Sequence, residues 1–443
     1  MKKSIIFSFL LLSIMQGFSQ DYYMATPQGF GANTTGGGTT APVTVSTYAA
    51  LKSNITSAGA KVILVSGVIT IPSGQPISAV VTNKSIIGLP GAKLINENQS
   101  NPGAGILYLK PGSSNVIIRN LVFIGPGAYD IDGQDNLTAD GCTNLWVDHC
   151  EFQDGQDGNF DNKGLTDNVT VSWCKFNYLK PAVGGGSGGS SDHRFSNLIG
   201  SSASNAPADG HYSITFQNCY WANGCKDRMP RARNAELHIL SCYYNTSVSS
   251  SKAIGLGGGT NNSTCYVQNS NFAAVSSVYS FASGDGGTAA INYNNCLNLR
   301  GAINIGTVAA PSYTATLIPV DQVANYVANS TCGAGATLQV TSAGVISSGT
   351  CTNLSTDKNT ADNGINFYPT VVDDILKIHF SEKATGKSMI EVYAVNGQKV
   401  INLSKNITSD ETVEVHVDSI KAGSYVCKVS VSGKTANWKF IKN

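Results

Sequence analysis

The chain has 443 residues, too many for one ordinary core, so two folded units or one repetitive unit is expected. Its formal net charge is +1 and only 13% of its residues are charged, which argues against a nucleic-acid or membrane-surface binder. Any polyanionic partner must then be held by a local basic patch, and the 47 glycines favour turns and short strands over long helices.

Lys2 and Lys3 precede an apolar run from Ile5 to Met15, followed by small and polar residues ending in Phe18-Ser19-Gln20. The run is too short to span a bilayer, and residues 1–20 read as an export signal, with the mature chain starting near Asp21. Eleven cysteines in an exported chain would ordinarily suggest disulfides, but the count is odd and the spacing regular.

From there a motif recurs: Asn, alternating apolar residues, a small residue, an aromatic. Copies run Asn115-Val-Ile-Ile-Arg-Asn-Leu-Val-Phe123, Asn144-Leu-Trp-Val-Asp-His-Cys-Glu-Phe152 and Asn168-Val-Thr-Val-Ser-Trp-Cys-Lys-Phe176. Further copies are Tyr212–Tyr220, Ala235–Tyr243, Cys265–Phe272 and Ile291–Cys296, with an earlier one at Asn83–Leu89. Most recur 23 to 29 residues apart, a solenoid period, and no helix-length amphipathic pattern fills the gaps. A parallel β-helix over residues 21–351 is expected, each coil pairing with those above and below.

In this register Leu121, Cys150, Cys174, Cys219, Cys242, Ser270 and Cys296 share one position, read as a ladder of mostly small residues inside the coil. Disulfides between adjacent rungs are sterically conceivable; Cys332 and Cys351, outside the ladder, are the better pair. The 45 residues from Cys174 to Cys219 hold a Gly-rich stretch at 184–192, a long loop or an extra coil of the kind that builds a binding face.

Residues 352–364 are polar and aperiodic and read as a linker. Beyond it, Ile375–Phe380, Ser388–Tyr393, Val413–Val417 and Gly423–Ser430 alternate as strands, with a turn at Asn396-Gly397, and predict a small β-sandwich over 365–443.

Three carboxylates, Asp135, Asp157 and Asp161, cluster in sequence. Asp135 lies about one coil before Asp157 and Asp161, so stacking would gather them, and the four-residue spacing of the latter two returns to one face on a strand and nearly so on a helical turn. Such a set suits a hard cation such as calcium, with Asp132 as a possible fourth ligand; ordinary turn chemistry is the alternative. In Lys226-Asp-Arg-Met-Pro-Arg-Ala-Arg233, Arg228 and Arg233 form either a carboxylate-binding pair or a solvated basic loop. Asp148 and His149, on opposite faces of a strand, read as structural hydrogen-bonding groups. Asp192-His193-Arg194 is either a strand start or part of the cleft.

Residues 28–335 resemble the polysaccharide lyase family one pectate lyases. The matching elements, in order, are Gly29-Phe-Gly-Ala-Asn-Thr-Thr-Gly-Gly37, Asn83-Lys-Ser-Ile-Ile-Gly88, Leu145-Trp-Val-Asp-His-Cys150, Asp192-His-Arg-Phe-Ser-Asn-Leu-Ile-Gly200 and Arg228-Met-Pro-Arg-Ala-Arg233. The resemblance implies a right-handed parallel β-helix in an all-β chain, calcium at Asp135, Asp157 and Asp161, Arg228 as the base at carbon 5 of galacturonate, and Arg233 and Lys180 as substrate contacts. One group of members carries an extra Asp where this chain has Gly133, and the Gly insertion lies near Lys180. Residues 365–443 resemble a type IX secretion sorting domain through Asn366-Phe-Tyr-Pro369, Ile390–Lys399, Ala422-Gly-Ser-Tyr425 and the basic end Lys439–Lys442. There Thr370-Val371 replaces the usual Asn-Pro.

The resemblances imply a secreted or cell-surface monomer that cleaves polygalacturonate or pectin by β-elimination and meets the type IX secretion machinery. A calcium-independent pectin lyase, a polygalacturonase-type hydrolase and a non-catalytic β-helix adhesin are the rival readings.

Overall fold

The computed structural model describes residues 22–99, 103–130, 133–187, 189–349, 364–368, 371–394 and 398–442. The export signal, the linker apart from its last residue, Asp132, Cys351 and the turn at Asn396-Gly397 lie outside these. No helix among the described residues is long and apolar enough to cross a membrane. The chain divides into two compact units, Met1–Thr352 and Asn353–Asn443.

The first unit is a parallel β-helix. Three parallel sheets of ten, eight and eight strands are visited in rotation. One coil runs Leu137–Asp140, Thr143–Asp148, Glu151–Gln153, and the next Phe160–Lys163, Asp167–Ser172, Lys175–Asn177. Equivalent residues stack: Val147 pairs with Val171 and Phe152 with Phe176. The recurrent Asn explains the corner at which several strands of the ten-stranded sheet begin. Asn115, Asn144 and Asn168 have φ of 54°, 54° and 56°, a left-handed conformation that Asn tolerates better than most residues.

Aromatics at the close of the motif form a buried stack, but in two copies it is Trp221 and Tyr244, one residue past the expected Tyr220 and Tyr243, that take the place. Phe123, Phe152, Phe176, Trp221, Tyr244 and Phe272 follow one another at centroid separations of 4.8, 5.4, 5.6, 4.6 and 4.5 Å. Beside it runs the small-residue ladder, whose carbonyls at Leu121, Cys150, Cys174, Cys219 and Cys242 each accept the N–H that opens the next strand in the coil above, while that of Ser270 accepts from Leu297. The ladder thiols are free; Cys174 donates to the carbonyl of Val147 at 3.5 Å. Cys332 is disulfide-bonded.

The repeat reading missed the first two rungs, Val43–Val45 and Lys61–Val65, and a short helix, Tyr48–Thr56, capped by the Thr47 side chain accepting from the Ala50 N–H. Its Leu51 and Ile55, one turn apart, are fully buried in the β-helix core. The outer face of the ten-stranded sheet is covered by Tyr22, Met24, Ile318, Val323 and Val327 packed on Trp146 and Trp173.

The second unit packs a three-stranded sheet (Ile365–Tyr368, Ile375–Phe380, Glu411–His416) with a five-stranded sheet (Val371–Val372, Lys434–Lys442, Gly423–Val431, Gly386–Ala394, Lys399–Ile407) around one core. Leu376, Ile378, Phe380, Val413, Val415, Val429 and Phe440 are buried in strict strand alternation, as the period-two pattern predicts.

Candidate active site

One of the eight-stranded sheets assembles the site. Its strands Leu137–Asp140, Phe160–Lys163, Leu198–Ile199 and Arg231–Ala232 are neighbours, with Thr138 opposite Asp161 and Ile199 opposite Ala232. Asp135 and Asp157 precede the first two strands, Asp161 is the second residue of its strand, and Arg228 and Arg233 flank the last. Asp135, Asp157 and Arg228, far apart in sequence, thus lie where these parallel strands begin, while Arg233 lies just past the end of its strand.

Asp135 and Asp161 are buried. Asp135 Oδ2 accepts from the Thr138 hydroxyl at 2.7 Å, while its Oδ1 is buried with no partner. Burial, and then the charges of Asp161 and Asp157, push its pKa well above the usual carboxylate range. Asp161 Oδ1 accepts the Leu198 N–H at 2.8 Å. Burial raises Asp161 to about 7, with Asp157 adding and Arg228 opposing. Asp157 does not share a strand face with Asp161, contrary to the spacing argument: it sits in the turn before the strand. Its Oδ1 meets His193 Nε2 at 2.6 Å. His193, buried, lies with Nδ1 3.6 Å from Asp130, whose Oδ1 accepts the Ser190 N–H of the Gly-rich loop.

Among the described residues no three His, Cys, Asp or Glu side chains already converge as a metal cage. Asp157 is turned to His193, whereas Asp135 and Asp161 face Gly158. The donor chemistry nonetheless fits a hard cation: anionic oxygens in mutual repulsion, one of them a buried orphan. A side chain at Gly133 would bring its Cβ within 2.4 Å of Gln156 Oε1, so it would fit only if the Gln156 amide moved aside.

Arg228 has φ of 57°, and its N–H donates to Asp227 Oδ1 at 2.6 Å. Its guanidinium lies 4.4 Å over the Phe195 ring and, among the described residues, makes no hydrogen bond or ion pair. Arg233 is buried and partnered: Nη2 is 3.3 Å from Asp285 Oδ1, and Asp285 also binds Arg231 at 2.9 Å. Burial lowers the Arg233 pKa, against the pull of Asp285. Lys180 Nζ donates to the Gly125 carbonyl at 2.9 Å, and Lys180 lines an open cavity of about 520 Å³ with Asp192, Arg194 and Lys226. Arg194 is chelated by Asp192 at 2.7 and 2.6 Å.

Asp192-His193-Arg194 therefore belongs to the cleft, and Phe195 and Asp285 are the site neighbours to which sequence reasoning gave no role. Asp148 and His149 lie on the ten-stranded sheet instead. They do not point to opposite faces: His149 turns to φ of 46°, and its Nδ1 meets Asp148 at 2.8 Å. Arg119 and Ser172 complete a buried structural network.

A family model described as pectate lyase matches residues 3–278, and one described as a secretion system C-terminal sorting domain matches residues 366–443. The pectate trisaccharide-lyase of Thermotoga maritima is 32% identical over 212 residues, 46% of this chain and 50% of that protein. Pectate lyase A of Aspergillus niger is 30% identical over 302 residues, 65% of this chain and 82% of that protein. The chain thus spans about half the length of the Thermotoga relative it matches. Among solved structures, a pectate lyase from a Paenibacillus species superposes with a TM-score of 0.54 at 18% identity, covering 70% of this chain and 96% of that one. A pectate lyase bound to a hexasaccharide gives 0.52 at 20% identity, with the same coverage. Both likenesses concern the fold.

Proposed function

Since the chain belongs to the pectate lyase family and ends in a secretion system sorting domain, we propose that it is a secreted or surface-held pectate lyase. It would cleave α-1,4-polygalacturonate by calcium-assisted β-elimination. The observation that carries this reading is the meeting of under-compensated carboxylates with an unpaired guanidinium: Asp135 and Asp161 are both raised, and Arg228 acts on Asp161.

Asp135, Asp157 and Asp161 would hold the calcium ion. When bound, the ion supplies charge withdrawal from the substrate carboxylate beside carbon 5. Arg228, whose fork is free, takes the carbon-5 proton; that electron pair becomes the carbon 4–carbon 5 double bond. The bond from carbon 4 to its glycosidic oxygen breaks, and solvent protonates the departing chain. Arginine is charged at ordinary pH, so it accepts a proton only after losing one, and the reading carries an alkaline optimum. Arg233 orients a substrate carboxylate as that group competes with Asp285. Lys180 and its cavity offer a further cationic contact along the chain.

The same acids disfavour a calcium-independent pectin lyase, which has no need of them. The test is ultraviolet absorbance of the product from polygalacturonate, with calcium and with chelator. Absorbance that grows with calcium and vanishes with chelator supports the reading. Activity that survives chelation would sink calcium dependence, and reducing ends without absorbance would mean hydrolysis.

A further inference from the structure

The rung between the acids and Arg228 carries neither a metal ligand nor a base, yet it holds the two together. Ser196 accepts at its carbonyl from Asn159 and Phe160 on the acidic rung, at 3.1 and 3.0 Å. Its N–H donates to Asp227, and the Asn197 N–H donates to Arg228, at 3.1 and 2.7 Å. Phe195 bridges Asp227 in parallel. Its ring touches His193 on one side, centroids 4.1 Å apart, and lies under the Arg228 guanidinium at 4.4 Å. Asp157, His193, Phe195 and Arg228 therefore form one contiguous line from a cation-site acid to the base.

We propose that Phe195 is the positioning residue for Arg228. This rests on the lyase reading of the site. An ion pair would fix the guanidinium by consuming its nitrogens. An aromatic face fixes its plane and leaves every nitrogen edge open to substrate. Arg228 is the arginine of this site without a carboxylate partner, whereas Arg194, Arg231 and Arg233 each have one. The ring thus supplies the constraint that a carboxylate supplies elsewhere, without occupying the atoms that react.

The test uses the full chain and compares wild type with F195L, F195M, F195Y and F195W in two measurements. The first is kcat and KM on polygalacturonate at saturating calcium, with thermal unfolding alongside. F195L and F195M should lose about 10- to 100-fold in kcat, the scale of a small misplacement of a reacting group, with KM within about twofold. F195Y and F195W, which restore an aromatic face, should recover most of that loss. The second is the rate of phenylglyoxal labelling at Arg228, read by mass spectrometry, which should rise in the aliphatic variants and stay low in the aromatic ones. Wild-type kcat in a folded aliphatic variant, or labelling unchanged by loss of the ring, overturns the proposal. Should wild type prove inactive on polygalacturonate while labelling follows the ring, the lyase reading falls and the platform stands.

Discussion

Asp135 Oδ1 and Asp161 Oδ1 converge over Gly158: a Cβ built there would stand 2.8 Å from the first and 3.0 Å from the second. Those contacts are tighter than real Cβ atoms normally make, and Gly158 has no left-handed backbone to complicate substitution. G158A should therefore push the two carboxylates apart without straining the chain. We expect the calcium concentration for half-maximal activity to rise about tenfold, equivalent to about 1.4 kcal/mol, with kcat largely recovered at saturating calcium. A calcium titration checks this; an unchanged midpoint would show that these oxygens do not share a cation.

The same pair predicts how calcium and pH interact. A carboxyl raised on folding binds its proton more tightly in the folded state, so stability falls as pH climbs from the unfolded pKa to the folded one. For Asp161 that window runs from the ordinary 3.8 to about 7. A bound divalent cation removes the penalty only where the acids are ionised. The rise in Tm on adding calcium should accordingly be larger at pH 8 than at pH 5. Scanning calorimetry with calcium and with chelator at both values measures it, and an equal rise at both would contradict the assignment.

Arg228, the proposed base, has no hydrogen-bonded partner for its guanidinium among the described residues, so it should contribute little to the fold. R228K keeps the charge but loses the planar fork. Turnover should fall by at least about 100-fold, as for loss of a general base, while binding of oligogalacturonate to the calcium-loaded protein changes little. Comparing single-turnover rates with binding isotherms separates the two, and near-normal turnover in R228K would remove Arg228 from the base role.

The repeat was legible because a solenoid writes its period into the chain: one Asn corner, one apolar strand and one aromatic per coil. The site was legible only where residue type constrains chemistry. Acids and arginines stand out in a chain so sparing of charge, but their partners do not. Nothing local in the sequence says that Asp285 closes on Arg233 or that Phe195 lies under Arg228, because coil stacking makes both contacts. The strand-parity argument for Asp157 and Asp161 failed because the strand begins only at Phe160. It failed again at Asp148 and His149, where a left-handed residue breaks the alternation that the argument assumes.

That failure has an energetic consequence. Burial works to raise the Asp148 pKa, yet His149, Arg119 and Ser172 outweigh it and hold the carboxyl below its ordinary value. Asp148 is fully buried, and Arg119 reaches it at 2.8 Å while donating to the Met24 carbonyl and lying 4.3 Å over Trp146. D148N keeps the shape but leaves the Arg119 charge buried and unpaired, which should cost about 3–5 kcal/mol. A depressed carboxyl contributes stability that is complete above the unfolded pKa of 3.8 and lost as pH falls through the lower folded value, so the difference between wild type and D148N should narrow in acid. The network sits on the ten-stranded sheet and the acids on an eight-stranded one, so kcat at 25 °C should be unchanged wherever the variant is folded. Chemical denaturation at pH 7 and pH 3, paired with product absorbance, tests both halves. A D148N protein as stable as wild type, or one folded but slow, would show that this network serves something other than the packing of the N-terminal segment onto the coil.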